Sequence, residues 1–142
     1  MALLHRDTDY AVRALLKLAA SDGVVSVAVL AEATSVPPEF LRKIMQKLHG
    51  AGILRSRQGP SGGYVLNKEP GDVNLLELVR VVQGPLSVNE CFVHPGCCPS
   101  SPACALKREL HALQARIENS LREITLARIA AGTADGQAAG QG

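Results

Sequence analysis

The 142-residue chain is 46% hydrophobic but only 3% aromatic, with no Trp, so it holds one domain whose aliphatic, alanine-rich core suits closely packed helices. Its net charge of +2 is unevenly spread: residues 1–68 carry a net +4 and residues 69–142 a net −2, which points mildly to a nucleic-acid surface in the first half. No apolar run approaches eighteen residues and Met1–Asp7 turns charged early, so neither a membrane span nor a secretion signal is expected, and the thiols belong in a reducing cytoplasm.

The first helix is predicted from a cap at Asp7 or Thr8 to about Ala20. Ala11, Ala14, Leu15 and Leu18 form its apolar stripe, and Arg13 and Lys17 share another face. Val24-Val25 can be a short strand. Ser26 is a good N-cap for a second helix, Val27 to about Thr34. After the Ser35-Val36-Pro37 turn, Pro38 suits the first turn of a third helix running from Glu39 to about His49. Phe40, Leu41, Ile44, Met45 and Leu48 are its expected buried face, with Arg42, Lys43, Gln46 and Lys47 outside.

Two short helices with a tight turn, the second basic outside, read as a helix-turn-helix. A strand over Ile53–Arg57, a turn with three glycines over Gln58–Gly63 and a returning strand at Tyr64–Leu66 then read as a wing. A wing lays its tip against phosphates or the minor groove while the second helix enters the major groove. The glycine-rich tip is not a nucleotide-phosphate loop, because no Lys-Ser/Thr follows it and no helix starts there. The DNA-facing candidates are Pro38, Glu39, Arg42, Lys43, Lys47, Arg55, Arg57, Gln58 and Ser61.

A fourth helix, capped by Asp72 or Asn74, is predicted over Leu75 to about Gln83, with Leu75, Leu78, Val79 and Val82 inward. Residues 84–104 then hold all four cysteines, together with four prolines and two glycines, and must be a loop. So long a loop in a small domain is functional or disordered, and concentrated thiols favour function. The spacing Cys-x5-Cys-Cys-x5-Cys lacks the paired Cys-x-x-Cys hooks of a structural zinc ribbon and suits an iron–sulfur cluster. Neighbours such as Cys97 and Cys98 do not easily serve one cluster together. That leaves three cysteine ligands and a fourth to find, with His94, His111 or a distant carboxylate as candidates.

From Ala103 to about Ala131 the chain reads as one helix of roughly 43 Å. Leu106, Leu110, Leu113, Ile117, Leu121 and Ile124 form a near-heptad stripe that calls for a second copy and a homodimer. Gly132–Gly142 is expected to fray. The predicted organisation is a mainly α winged helix-turn-helix domain over 1–83, a cysteine-rich loop over 84–104, a dimerisation helix over 105–131 and a disordered tail over 132–142.

Four stretches carry a resemblance: Thr8–Leu15, Gly59–Tyr64, Pro85-Leu86-Ser87 before Cys91, and Pro102–Lys107. In these the chain resembles, over nearly its full length, the Rrf-two family of bacterial winged-helix regulators. The resemblance implies a homodimer with crossed C-terminal helices and a cluster on three cysteines, Cys91, Cys98 and Cys104, with Cys97 as the alternative to Cys98. Lys107 stands where IscR-like members have a histidine. NsrR-like members use an aspartate from the partner subunit, which falls on Asp9 here, and this branch is the nearer in ligand pattern. The resemblance further implies a repressor of palindromic operators on double-stranded DNA, carrying a 4Fe-4S rather than a 2Fe-2S cluster and sensing nitric oxide, redox state or iron. Gln58 replaces the Arg that often precedes the wing glycine, so the target sequence is expected to differ. The alternative from the residues alone is a regulator switched by its thiols without metal, and no catalytic constellation points to an enzyme.

Overall fold

The computed structural model describes residues 2–89, His94 and 104–139, with no side chains described for 134–139. The elements are α1 (Arg6–Ala19), α2 (Val27–Thr34), α3 (Pro38–Gly50), β1 (Leu54–Arg57), β2 (Gly63–Leu66), a 3-10 turn (Pro70–Asp72), α4 (Leu75–Val82), α5 (Ala105–Glu123) and α6 (Leu126–Ala139). The fold is mainly helical with one antiparallel hairpin, as the periodicity required.

The core follows from the stripes. Ala11, Ala14, Leu15 and Leu18 of α1 pack with Leu30 and Ala31 of α2, with Leu41, Ile44, Met45 and Leu48 of α3, and with α4. Leu75, Leu76, Leu78, Val79 and Val82 of α4 are all buried. Each buried Leu or Val contributes about 1.5–3 kcal/mol relative to exposure. Phe40 corrects the expected buried face of α3: it is 48% exposed. The filled stripe runs Leu41, Ile44, Met45, Leu48, and Phe40 sits about 100° round the helix from Leu41, at the stripe's edge.

Side-chain caps set the starts of α2 and α4. The Ser26 hydroxyl accepts from the Val29 N–H at 3.2 Å, and the Asn74 carboxamide from the Glu77 N–H at 2.9 Å. α1 departs from expectation. It starts at Arg6, and neither Asp7 nor Thr8 caps it. Thr8 is instead fully buried and donates to Gln83 Oε1 at 2.7 Å.

The hairpin pairs Leu54 with Leu66, Arg55 with Val65, Ser56 with Tyr64 and Arg57 with Gly63. Val25 joins it through a two-bond bridge to Tyr64, each N–H···O at 2.9 Å, so the short strand expected near Val24-Val25 is a single bridge. Gly63 allows that approach: a Cβ there would fall onto the Val25 carbonyl, and one at Gly62 onto the Arg57 carbonyl.

The expected single helix from Ala103 to Ala131 is broken. Ile124 is extended (φ −88, ψ 106), and the Thr125 hydroxyl accepts from the Arg128 N–H at 3.1 Å, capping α6. Backbone bonds Leu75 N–H to Ile124 O (2.8 Å) and Leu126 N–H to Val73 O (2.9 Å) staple the break to the start of α4. The β-branched pair Ile124-Thr125 leaves the helix because an extended strand partner and a cap are both at hand. Leu121 and Leu126, on either side of the break, enter the main core. α6 continues through Gly132 to Ala139, beyond the expected helix end. Alanine and glutamine tolerate helix well enough to carry the glycines, each costing about 1 kcal/mol.

Candidate nucleic-acid interface and the cysteine-bearing segment

The buried stripe of α3 dictates its outer face. Pro38, Glu39, Arg42, Lys43 and Gln46 are exposed. α3 turns into β1 through Ala51-Gly52-Ile53, and Gly52 takes the positive φ (+79) that the turn needs. His49, in the last turn of α3, hydrogen-bonds Ser56 at 3.3 Å and meets Tyr64 edge-to-face with centroids 6.2 Å apart. The end of the helix and the base of the hairpin are thereby locked together. Arg55 and Arg57 lie on the strand face opposite Ser56, and both are exposed, as are Gln58 and Ser61. Gly59 has a φ of +102, and the Gly62 N–H closes the tip onto the Gly59 carbonyl at 2.9 Å.

Among the described residues the ion pairs are Arg13–Asp9, Lys68–Glu77 and Arg80–Glu118. The cations of α3 and the wing therefore face outward without a carboxylate partner among them, as phosphate-binding groups do. Lys47 lies on the outer face too and is exposed, but its ammonium reaches back to donate to the Val82 carbonyl at the end of α4, at 2.8 Å.

Cys104 is half-buried at the position preceding α5. Cys91, Cys97 and Cys98 lie outside the described residues, as does most of the expected loop, and His94 is exposed. Among the described residues no three His, Cys, Asp or Glu side chains converge as a metal site. Asp9, on the exposed side of α1, pairs with Arg13 one turn on at 2.8 Å. The described residues preceding the cysteines are firmly held. Gln114 of α5 donates from Nε2 to the Leu86 carbonyl (2.7 Å) and accepts at Oε1 from the Val88 N–H (3.0 Å). Gln83 accepts at Oε1 from the His5 N–H (2.9 Å) and the Thr8 hydroxyl (2.7 Å), and donates to the Leu3 carbonyl (3.1 Å). Sequence reasoning missed Thr8, Gln83 and Gln114 as binding partners, because their partners lie 75–80 and 26–28 residues away and leave no local pattern.

The model of the Rrf2 family, described as an iron-dependent transcriptional regulator, matches residues 4–132. The chain belongs to the Rrf2 family. Its members are transcriptional regulators and not enzymes, which gives the exposed α3–wing face its context. A putative HTH-type transcriptional regulator of Mycobacterium tuberculosis is 38% identical over 128 residues, covering 87% of this chain and 78% of that one. The HTH-type transcriptional regulator NsrR of Bacillus subtilis is 35% identical over 107 residues, covering 73% of each. The T. potens IscR structure superposes with a TM-score of 0.74 at 26% identity, covering 94% of this chain and 90% of that one. The B. subtilis global cysteine regulator CymR shares the fold, with a TM-score of 0.69 at 24% identity over 92% and 98% of the two chains. The winged-helix reading of the sequence stands. Among the described residues no helix is long and apolar enough to cross a membrane.

Proposed function

We propose that the protein is a cytoplasmic, homodimeric transcriptional repressor of the Rrf2 family whose hold on DNA depends on an iron–sulfur cluster, 4Fe-4S rather than 2Fe-2S. The observation that carries the reading is the segregation of the chain. Outward cations lie on α3 and the wing, and the described residues that lead into the cysteines are held by α1, α3 and α5. The match to an iron-dependent regulator family and the NsrR relative support the iron side of the reading.

The donor set fits such a group. Soft thiols in a short segment suit iron–sulfur ligation. Cys91, Cys98 and Cys104 supply three donors, with Cys97 as the alternative to Cys98. The fourth donor would be Asp9 of a second copy of the chain; in α1 it is exposed and pairs with Arg13. When bound, the cluster supplies irons that nitric oxide, oxidants or iron scarcity can attack. The chain's own part is to hold the thiols, anchor Leu86 and Val88 on Gln114, and carry α3 and the wing. Glu39, Arg42 and Lys43 enter the major groove beside Pro38, and Arg55, Arg57, Gln58 and Ser61 hold the phosphates or minor groove at the wing.

Dimerisation follows from α5. Leu106 is 63% exposed and Leu113 45%, with Leu110 half-buried, so among the described residues the first half of the stripe is left uncovered while Ile117, Leu121 and Ile124 pack on the core. A second α5 covers it, and the pair of reading heads then faces a palindromic operator.

The test is an absorption spectrum with iron and sulfide analysis on protein purified without oxygen, beside Cys91→Ala. Brown wild-type protein containing iron and sulfide, bleached in the variant, is the expected result. Colourless wild-type protein that stays iron-free after anaerobic reconstitution overturns the cluster and leaves a thiol switch. For the DNA side, Arg42→Ala with Lys43→Ala should weaken operator binding at least a hundredfold, and unchanged affinity overturns the α3 assignment.

A further inference from the structure

The four residues that end α4 and open the cysteine-bearing segment are tied to three other helices by side chains. Val82 is the last residue of α4, and its carbonyl has no helical partner ahead of it. Gln83 and Gly84 turn their N–H groups back onto the Val79 carbonyl at 2.9 and 3.2 Å, and Gly84 takes a φ of +97. The Val82 carbonyl is therefore left open, and the Lys47 ammonium of α3 fills it. One residue on, Gln83 binds the first turn of α1 and the backbone ahead of it through His5, Thr8 and Leu3. Leu86 and Val88 then bind Gln114 of α5.

We infer that Lys47 is a positioning residue: it works on DNA binding from behind, by tying the reading helix to the root of the cysteine-bearing segment, and does not touch DNA. This role rests on the protein being a DNA-binding regulator sensed through its cysteines. Lys47 lies one turn beyond Lys43 on α3, so its charge could have served a phosphate. Its ammonium is instead drawn back to a helix C-terminus, where a cation meets both an open carbonyl and the negative end of the dipole. A displacement of residues 82–88 reaches α3 through the packed α3–α4 core and through the 2.8 Å Lys47–Val82 bond, which adds a directional polar tie to that packing. Arg42 and Lys43 then move with it, on the same rigid helix. Helix packing is bistable and does not deform smoothly, so a small shift at the root becomes a change of seating at the DNA.

The variants are Lys47→Met, which keeps the aliphatic stem and loses the donor, and Lys47→Arg, which keeps a donor. Each is made in the full-length chain, checked for helix content by circular dichroism, and titrated with a duplex that the wild-type chain enriches from a random-sequence pool. Failure to enrich any duplex would overturn the DNA-reading proposal itself. With a duplex in hand, Lys47→Met should bind about tenfold more weakly, Lys47→Arg should recover most of the loss, and the slope of log affinity against log salt should not move. A lost phosphate contact flattens that slope by about 0.9 for each one removed. A flattened slope, or unchanged affinity, therefore overturns the inference. The second readout is a double-mutant cycle with Cys91→Ala. The effect of Cys91→Ala on affinity should shrink at least threefold in the Lys47→Met background. An equal effect in both backgrounds overturns transmission through Lys47. No effect of Cys91→Ala even beside native Lys47 overturns sensing by the cysteine segment, and with it the transmission.

Discussion

α4 and α5 are both amphipathic helices, and they end in opposite situations. The eight residues of α4 bury Leu75, Leu76, Leu78, Val79 and Val82. The nineteen of α5 bury Leu121 alone, near its end, while Leu106 and Leu113 stand in the open. The α4 sequence is mostly apolar, whereas α5 carries a thinner stripe among many charged residues. What differs too is the supply of surface among the described residues: α4 lies between α1, α3 and α5, whereas Leu106 and Leu113 of α5 are left uncovered. An apolar stripe left uncovered among the described residues is the feature on which the proposed dimer rests.

The sharpest way to break this contrast is to place the same charge on both stripes. Leu78→Asp should cost more than about 4 kcal/mol and abolish the cooperative thermal transition, because a carboxylate would be buried unpaired. Leu113→Asp should leave helix content nearly intact and raise the dimer dissociation constant at least a hundredfold, read by sedimentation equilibrium. If Leu113→Asp unfolds the chain as Leu78→Asp does, or leaves the dimer untouched, the contrast is wrong. A smaller effect tests whether the wing belongs to the self-sufficient side. Gly63→Ala forces the hairpin off the Val25 carbonyl and should cost about 2–3 kcal/mol, a fall in Tm of roughly 6–12 °C. The smallest lies at the junction of the two regions. Asn74→Ala removes the cap on Glu77 and should cost about 1 kcal/mol, visible as a shift in urea midpoint with unchanged slope.

What the sequence made legible divides along physical lines. Local signals were read well: the stripes of α1 and α4, the Ser26 and Asn74 caps, and the wing glycines all depend on neighbours within a few residues. Phe40 was misplaced because a helical stripe has a width, and its edge is set by what packs against it. The break at Ile124-Thr125 was missed because neither residue is a helix breaker. The sequence trace was there, in a Thr placed to cap the next helix. The deciding partner, Asn74 and its flanking backbone, is some fifty residues away. At the candidate site, the outward positions of Arg42, Lys43, Arg55 and Arg57 follow from periodicity. The commitment of Lys47 to the Val82 carbonyl and of Thr8 to Gln83 does not, since each depends on how helices meet in three dimensions.

The staple between Val73–Leu75 and Ile124–Leu126 also bears on the order in which the protein is made. A chain emerging from the ribosome exposes α3 and the wing well before Leu121 and Leu126, which complete the core begun at Ala11. Domains settle as units once their last buried residues are available. A nascent chain, or one cut short within the cysteine-bearing segment, thus carries the reading helix on an unfinished platform. The platform under α3 and the wing is complete only once Leu126 has been made.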